Sequence, residues 1–75
     1  MEADPSGSEL IASVSTYLES DRHVGRAASR LFVHENTLRY RLARFESLTG
    51  ANLRELEVAF EVWWALERSK TRRDT

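Results

Sequence analysis

The sequence predicts a small all-α domain of four helices that contains a helix-turn-helix. Three observations predict it. Apolar residues recur at helical spacing in four separate runs, and no run alternates as a half-buried strand would. Only Val33 and His34 separate the second run from the third, which leaves room for a tight turn and nothing longer. The third run is apolar on one side and cationic on the other.

The first helix is expected over residues 8–19. Ser6 and Glu9 have capping-box spacing, with Ser8 as a competing cap, and Leu10, Ile11, Val14, Tyr17 and Leu18 form one stripe. Ser20 and Asp21 interrupt it. The second helix is expected over 22–32, capped by Asp21 and buried through Val24, Ala27, Ala28, Leu31 and Phe32. Its two alanines allow another helix to approach closely, while Gly25 weakens it by roughly 1 kcal/mol relative to Ala. The third helix is expected over 35–48. Its buried stripe is Leu38, Leu42, Phe45 and Leu48 or Thr49, and Gly50 is placed to end it in the left-handed region. The fourth is expected over 54–69, with Leu56, Ala59, Phe60 and Trp63 toward the core and Trp64 at the margin. Val58, Val62 and Ala65 fall on nearly the opposite side, and a helix apolar on two sides usually meets something on both. Residues 1–7 read as a disordered leader or expression remnant, residues 8–70 as the domain, and residues 71–75 as a frayed tail.

A chain of 75 residues builds one domain with a modest core. It has no cysteine, so neither a disulfide nor a thiolate metal site supports it. No apolar run approaches the roughly 18 residues of a membrane span, and the N-terminus lacks the order of a signal peptide. The net charge of −1 hides an asymmetry. Residues 1–20 carry Glu2, Asp4, Glu9 and Glu19 and no base. Residues 21–50 carry six arginines against Asp21, Glu35 and Glu46. A polyanion responds to that local field more than to the net charge. A solvated helical face explains such a run equally well by itself.

The third helix gives the charge a direction. On a helical wheel Leu38, Leu42 and Phe45 share one arc, while Thr37, Tyr40, Arg41 and Arg44 form a separate stripe. Asn36 and Tyr40 lie opposite the core and Arg39 flanks the other edge. These groups match duplex DNA. Arginine binds phosphate or forks onto guanine, asparagine pairs with adenine, and hydroxyls bond phosphate oxygens.

The stretch AASRLFVHENTLRYRLARFESLTG, between a first helix bearing leucine and tyrosine and an apolar last helix, resembles the C-terminal helix-turn-helix domain of PucR/CdaR-class regulators. These are bacterial regulators of purine catabolism and sugar-diacid use. The resemblance covers about residues 9–67. It is most specific from Leu31 to Leu42, where family members read close to L-F-V-H-x-N-T-L-R-Y-R-L. The turn is also similar to that of Fis and of the C-terminal domains of enhancer-binding activators. The resemblance implies that the second helix of the motif enters the major groove. It assigns DNA contact to Asn36, Thr37, Arg39, Tyr40, Arg41 and Arg44. Family members often have Arg or Pro where this chain has Glu35. That acid suits the helix dipole but repels phosphate, or it accepts from cytosine N4. In the family the domain usually ends a longer chain, so this chain is expected to be a fragment or a short stand-alone homologue.

Arg26, Arg30 and His34 are candidate phosphate contacts, with intramolecular pairing as the plainer role for the arginines and capping or packing in the turn for His34. His23 and His34 fit no common zinc spacing. Gly7, Gly25 and Gly50 form no phosphate loop, and no serine or threonine sits in a nucleophile context. The expectation is a cytoplasmic, nucleoid-associated DNA-binding domain of a bacterial transcription regulator. It is not an enzyme, carries no cofactor, metal or small-molecule site, and does not engage a membrane. Its partner is double-stranded DNA, with a homodimer or an upstream regulatory domain as further candidates. The alternative is a helical dimerisation or docking module acting through helix 54–69 by way of Val58, Val62, Ala65 and Trp64.

Overall fold

The computed structural model describes residues 4–73, with side chains described through Ser69. Four helices appear in order: α1 (Gly7–Glu19), α2 (Val24–Leu31), α3 (Glu35–Thr49) and α4 (Leu56–Arg73), and the described residues contain no strand. The expected leader residues 1–3 and tail residues 74–75 lie outside the described residues. α4 continues through Arg73, past the expected end at Ser69.

α1 starts where the capping box places it. The Ser6 hydroxyl accepts from the Glu9 N–H at 3.1 Å, and the Ser6 N–H donates to Glu9 Oε1 at 2.8 Å. Two orphan donors of the first turn are thereby satisfied. The Glu9 carboxyl is held below the ordinary carboxylate range. The Ser6 backbone hydrogen bond is the main cause. Desolvation opposes it, and Arg41 and the Ser6 hydroxyl add to the lowering. With the folded pKa below the unfolded one, this stabilisation is complete above the unfolded value and is lost as pH falls through the folded value. Urea melts of the wild-type chain should therefore lose stability more steeply through the carboxylate range than melts of Glu9→Gln. Parallel acid limbs would show that the box does not hold the helix.

The loop between α1 and α2 differs from expectation. Asp21 and Arg22 both lie in the left-handed region at φ 58°, so α2 begins at Val24 and not at residue 22. His23, not Asp21, caps it, its Nδ1 accepting from the Arg26 N–H at 3.1 Å. A helical start at 22 is excluded because two consecutive left-handed residues break the right-handed spiral.

The core is Val14, Ala27, Ala28, Leu38, Leu42 and Leu53, all buried, with Tyr17, Leu18, Val24, Leu31, Val33, Phe45, Val62 and Leu66 packed around it. Ala27 and Ala28 are 0% and 2% exposed, so α2 turns its small residues into the core. A Cβ at Gly25 would lie 3.2 Å from Glu35 Oε2 and 3.3 Å from His23 Cε1, so the glycine lets the start of α3 come close to α2. α1 packs against each of the other three helices, and α2 packs on α3.

On the first three helices, three expected core residues are outside it. Ile11 is 49% exposed, Leu48 61% and Phe32 95%. Ile11 and Leu48 fall at the edges of their stripes, where a core this small does not reach. Phe32 caps the end of α2 in the left-handed region, just past its last helical residue.

α4 is rotated by roughly a quarter turn from the expected orientation. Ala59 is buried, and Val62 and Leu66 pack against the core. Leu56 and Phe60, expected inside, are 69% and 62% exposed. Ala59, Val62 and Leu66 share one face of α4, spaced i, i+3, i+7, and that face is turned inward, while Leu56 and Phe60 lie on the side turned away. Val62 is therefore not part of an outward strip. The outward strip is Leu56, Phe60 and Trp64, spaced i, i+4, i+8.

Candidate nucleic-acid interface

α2, a tight turn and α3 bring the candidate residues together. The turn is closed by hydrogen bonds from the Phe32 N–H to the Ser29 carbonyl at 3.2 Å and from the Val33 N–H to the Ala28 carbonyl at 3.0 Å. His34 then caps α3, its Nδ1 accepting from the Asn36 N–H at 3.2 Å. Leu38 is 0% and Leu42 8% exposed, so these two side chains anchor α3 and set which side looks outward. Gly50, at φ 76°, ends the helix as expected, its N–H donating to the Glu46 carbonyl.

The outward side carries Glu35, Asn36, Arg39 and Tyr40, all exposed. Arg39 is held in place by two acceptors. Its Nη2 lies 3.1 Å from Glu35 Oε1 and its Nη1 donates to Asn36 Oδ1 at 3.2 Å. Glu35 thus has a partner on its own helix, one turn along. The Tyr40 hydroxyl donates to Asp4 Oδ1 at 3.0 Å, tying the segment before α1 to α3. Thr37 and Arg44 are half-buried, and Arg44 carries no ion pair among the described residues.

Arg41 does not share the open side. Its side chain is only 15% exposed and its Nη2 lies 3.7 Å from Glu9 Oε2. The wheel places Arg41 between Thr37 and Phe45, and α1 covers that flank. Arg41 therefore stands apart from the stripe with Tyr40 and Arg44 that the sequence suggests.

The candidate phosphate contacts have internal partners. Arg26 pairs with Asp21 at 3.4 Å. Arg30 donates to the buried Ser20 hydroxyl at 2.9 Å and lies 3.7 Å from Glu19. Exposed pairs of this kind contribute about 0–1 kcal/mol, so they orient the guanidinium groups without removing them from competition by a phosphate.

One feature is not expected from the sequence. Leu53, in the loop before α4, is 2% exposed, and its N–H donates to Glu46 Oε2 at 2.7 Å. A lone leucine between Asn52 and Arg54 is its only signal. Of the residues expected to dock a partner on α4, Trp64 and Ala65 are exposed, Val58 is half-buried and Val62 faces the core.

The family model of the PucR C-terminal helix-turn-helix domain matches residues 10–67. The chain belongs to that family. Among similar PucR-type proteins is the purine catabolism regulatory protein of Bacillus subtilis, 36% identical over 61 residues, 81% of this chain and 12% of that protein. The transcriptional activator PmfR of Paenarthrobacter nicotinovorans is 33% identical over 66 residues, 80% of this chain and 14% of that protein. The proline-responsive transcriptional activator PutR of Bacillus subtilis is 28% identical over 60 residues, 80% of this chain and 15% of that protein. The chain thus spans a small part of the length of these relatives. No solved structure matches it. The matched residues run from Leu10 to Glu67 and so take in the turn, all of α3 and most of α4 of this PucR-type domain.

Proposed function

We propose that this PucR-type domain binds double-stranded DNA sequence-specifically as part of a bacterial transcription regulator, with α3 in the major groove. The observation that carries the reading is the two-sidedness of α3 directly after a tight turn. Leu38 and Leu42 are buried, and Asn36, Arg39 and Tyr40 are exposed. In this arrangement the second helix of the motif is the one that reads base edges. Arg39, oriented by Glu35 and Asn36, is suited to a bidentate contact with guanine, and Arg44 to a base or phosphate at the groove wall. Asn36 and Tyr40 supply an amide and a hydroxyl beside them. Such a domain works where the DNA is, in the bacterial cytoplasm. Residues 8–70 form the working unit in this reading.

The test is fluorescence anisotropy with duplexes selected from a random pool. Affinity of the wild-type chain should fall steeply with salt, as counterion release requires. Arg44→Ala should weaken binding by about 1–3 kcal/mol and leave the fold intact, since the residue takes part in no ion pair among the described residues. Salt-independent binding, or an Arg44→Ala chain that binds like wild type, would remove α3 from the groove.

A second reading keeps one observation of its own. Leu56, Phe60 and Trp64 form an exposed apolar strip on α4. A domain that reads one half-site per copy gains specificity by pairing, and this strip is a self-complementary surface for a second copy. The two readings are compatible in one molecule.

A further inference from the structure

Phe32 is 95% exposed, the highest value among the large exposed hydrophobics. It also has φ 58° and ψ 40°, in the left-handed region. The reason is the end of α2. The Val33 N–H reaches back five residues to Ala28 and the Phe32 N–H reaches back three to Ser29, the paired bonds of a Schellman motif. That motif requires its penultimate residue to be left-handed, and glycine is the residue that fills the position without steric cost. Val33, the next residue, packs against the core as the motif's hydrophobic contact. Phe32 is thus a phenylalanine at a glycine's position. It gains no packing and it strains the backbone, so nothing in the fold accounts for its ring.

Its place in the chain supplies an account. Phe32 is two residues before His34, the cap of α3, and a trans chain cannot separate their Cα atoms by more than about 7 Å. Any surface that engages the first turn of α3 meets Phe32 as well. We infer that Phe32 is a specificity-determining residue whose ring lies against a thymine 5-methyl group at the edge of the groove that α3 occupies. The thymine methyl is the apolar feature a base pair presents in the major groove, and phenylalanine is among the side chains suited to it. This inference rests on the proposal that α3 reads DNA.

The experiment uses Phe32→Gly, Arg44→Ala and the wild-type chain on selected duplexes, with each thymine replaced in turn by deoxyuridine. Phe32→Gly should melt at an equal or higher temperature than wild type, because it removes the left-handed strain. It should bind the selected duplex roughly fivefold more weakly, about the worth of one buried methyl group. Its salt dependence should match wild type, since no charge is lost. One thymine-to-uracil change should weaken wild type by a similar factor and leave Phe32→Gly unaffected. The inference is overturned if Phe32→Gly binds as tightly as wild type while Arg44→Ala does not. It is also overturned if the Phe32→Gly loss occurs with no uracil-sensitive position, which would place the ring against sugar or against a protein partner. Absence of salt-dependent binding by wild type would overturn this inference together with the reading beneath it.

Discussion

Val62→Glu is expected to destabilise the domain by about 2–4 kcal/mol, and Phe60→Glu by less than about 1 kcal/mol. The two residues are two positions apart on α4 and both are apolar. Val62 packs against the core, so a carboxylate there must be desolvated or must push α4 away from α1. Phe60 is 62% exposed and its ring touches Trp63 at 6.3 Å between centroids. Its replacement loses that contact and little else, and the charge stays in water. For a chain of 75 residues the total stability is about 4–11 kcal/mol, so the Val62 variant stands near the limit of folding. Urea melts followed by helical circular dichroism separate the cases. Equal midpoints for the two variants would mean that Val62 does not face the core. Phe60→Glu carries the functional half of the comparison. It should abolish any self-association measured by sedimentation while helix content and nonspecific DNA binding persist. A dimer that survives Phe60→Glu places the contact elsewhere.

Leu53→Ala is expected to cost about 2–5 kcal/mol, the range for a large residue removed from a closed core. Leu53 is 2% exposed and belongs to the same cluster as Val14, Leu38 and Leu42. It also pins the loop that turns α3 into α4, since its N–H is held by Glu46. Leu48→Ala is the matching control. At 61% exposure it should cost within about 0.5 kcal/mol, although Leu48 sits in a regular helix and Leu53 does not. DNA affinity of the folded Leu53→Ala chain should be unchanged, because the open side of α3 is formed by other residues. If Leu53→Ala and Leu48→Ala melt alike, the loop is held by its hydrogen bonds and not by the leucine.

The sequence by itself determined the class, the number and order of helices, and the family. It also determined the Ser6–Glu9 box at the start of α1, the glycine at the end of α3, and the anchoring pair Leu38 and Leu42. These are local matters. A capping box, a left-handed glycine and an i, i+4 apolar pair are each specified by residues within one or two turns. A structural role for His34 in the turn, as cap or packing residue, was legible too, and the structure makes it the cap.

Tertiary structure decided what local pattern left degenerate. α4 is apolar on two sides, and nothing within it says which side is covered. The rest of the fold covers Ala59, Val62 and Leu66 and leaves Leu56, Phe60 and Trp64 outside. Arg41 looked like one of a stripe of cations until α1 covered its flank and brought Glu9 within 3.7 Å. Leu53 was a single letter in a polar loop until Val14, Leu38 and Leu42 closed over it. In each case the deciding partner lies far away in the chain. A helical wheel gives the angle between two side chains on one helix, but burial depends on the surface that arrives from another.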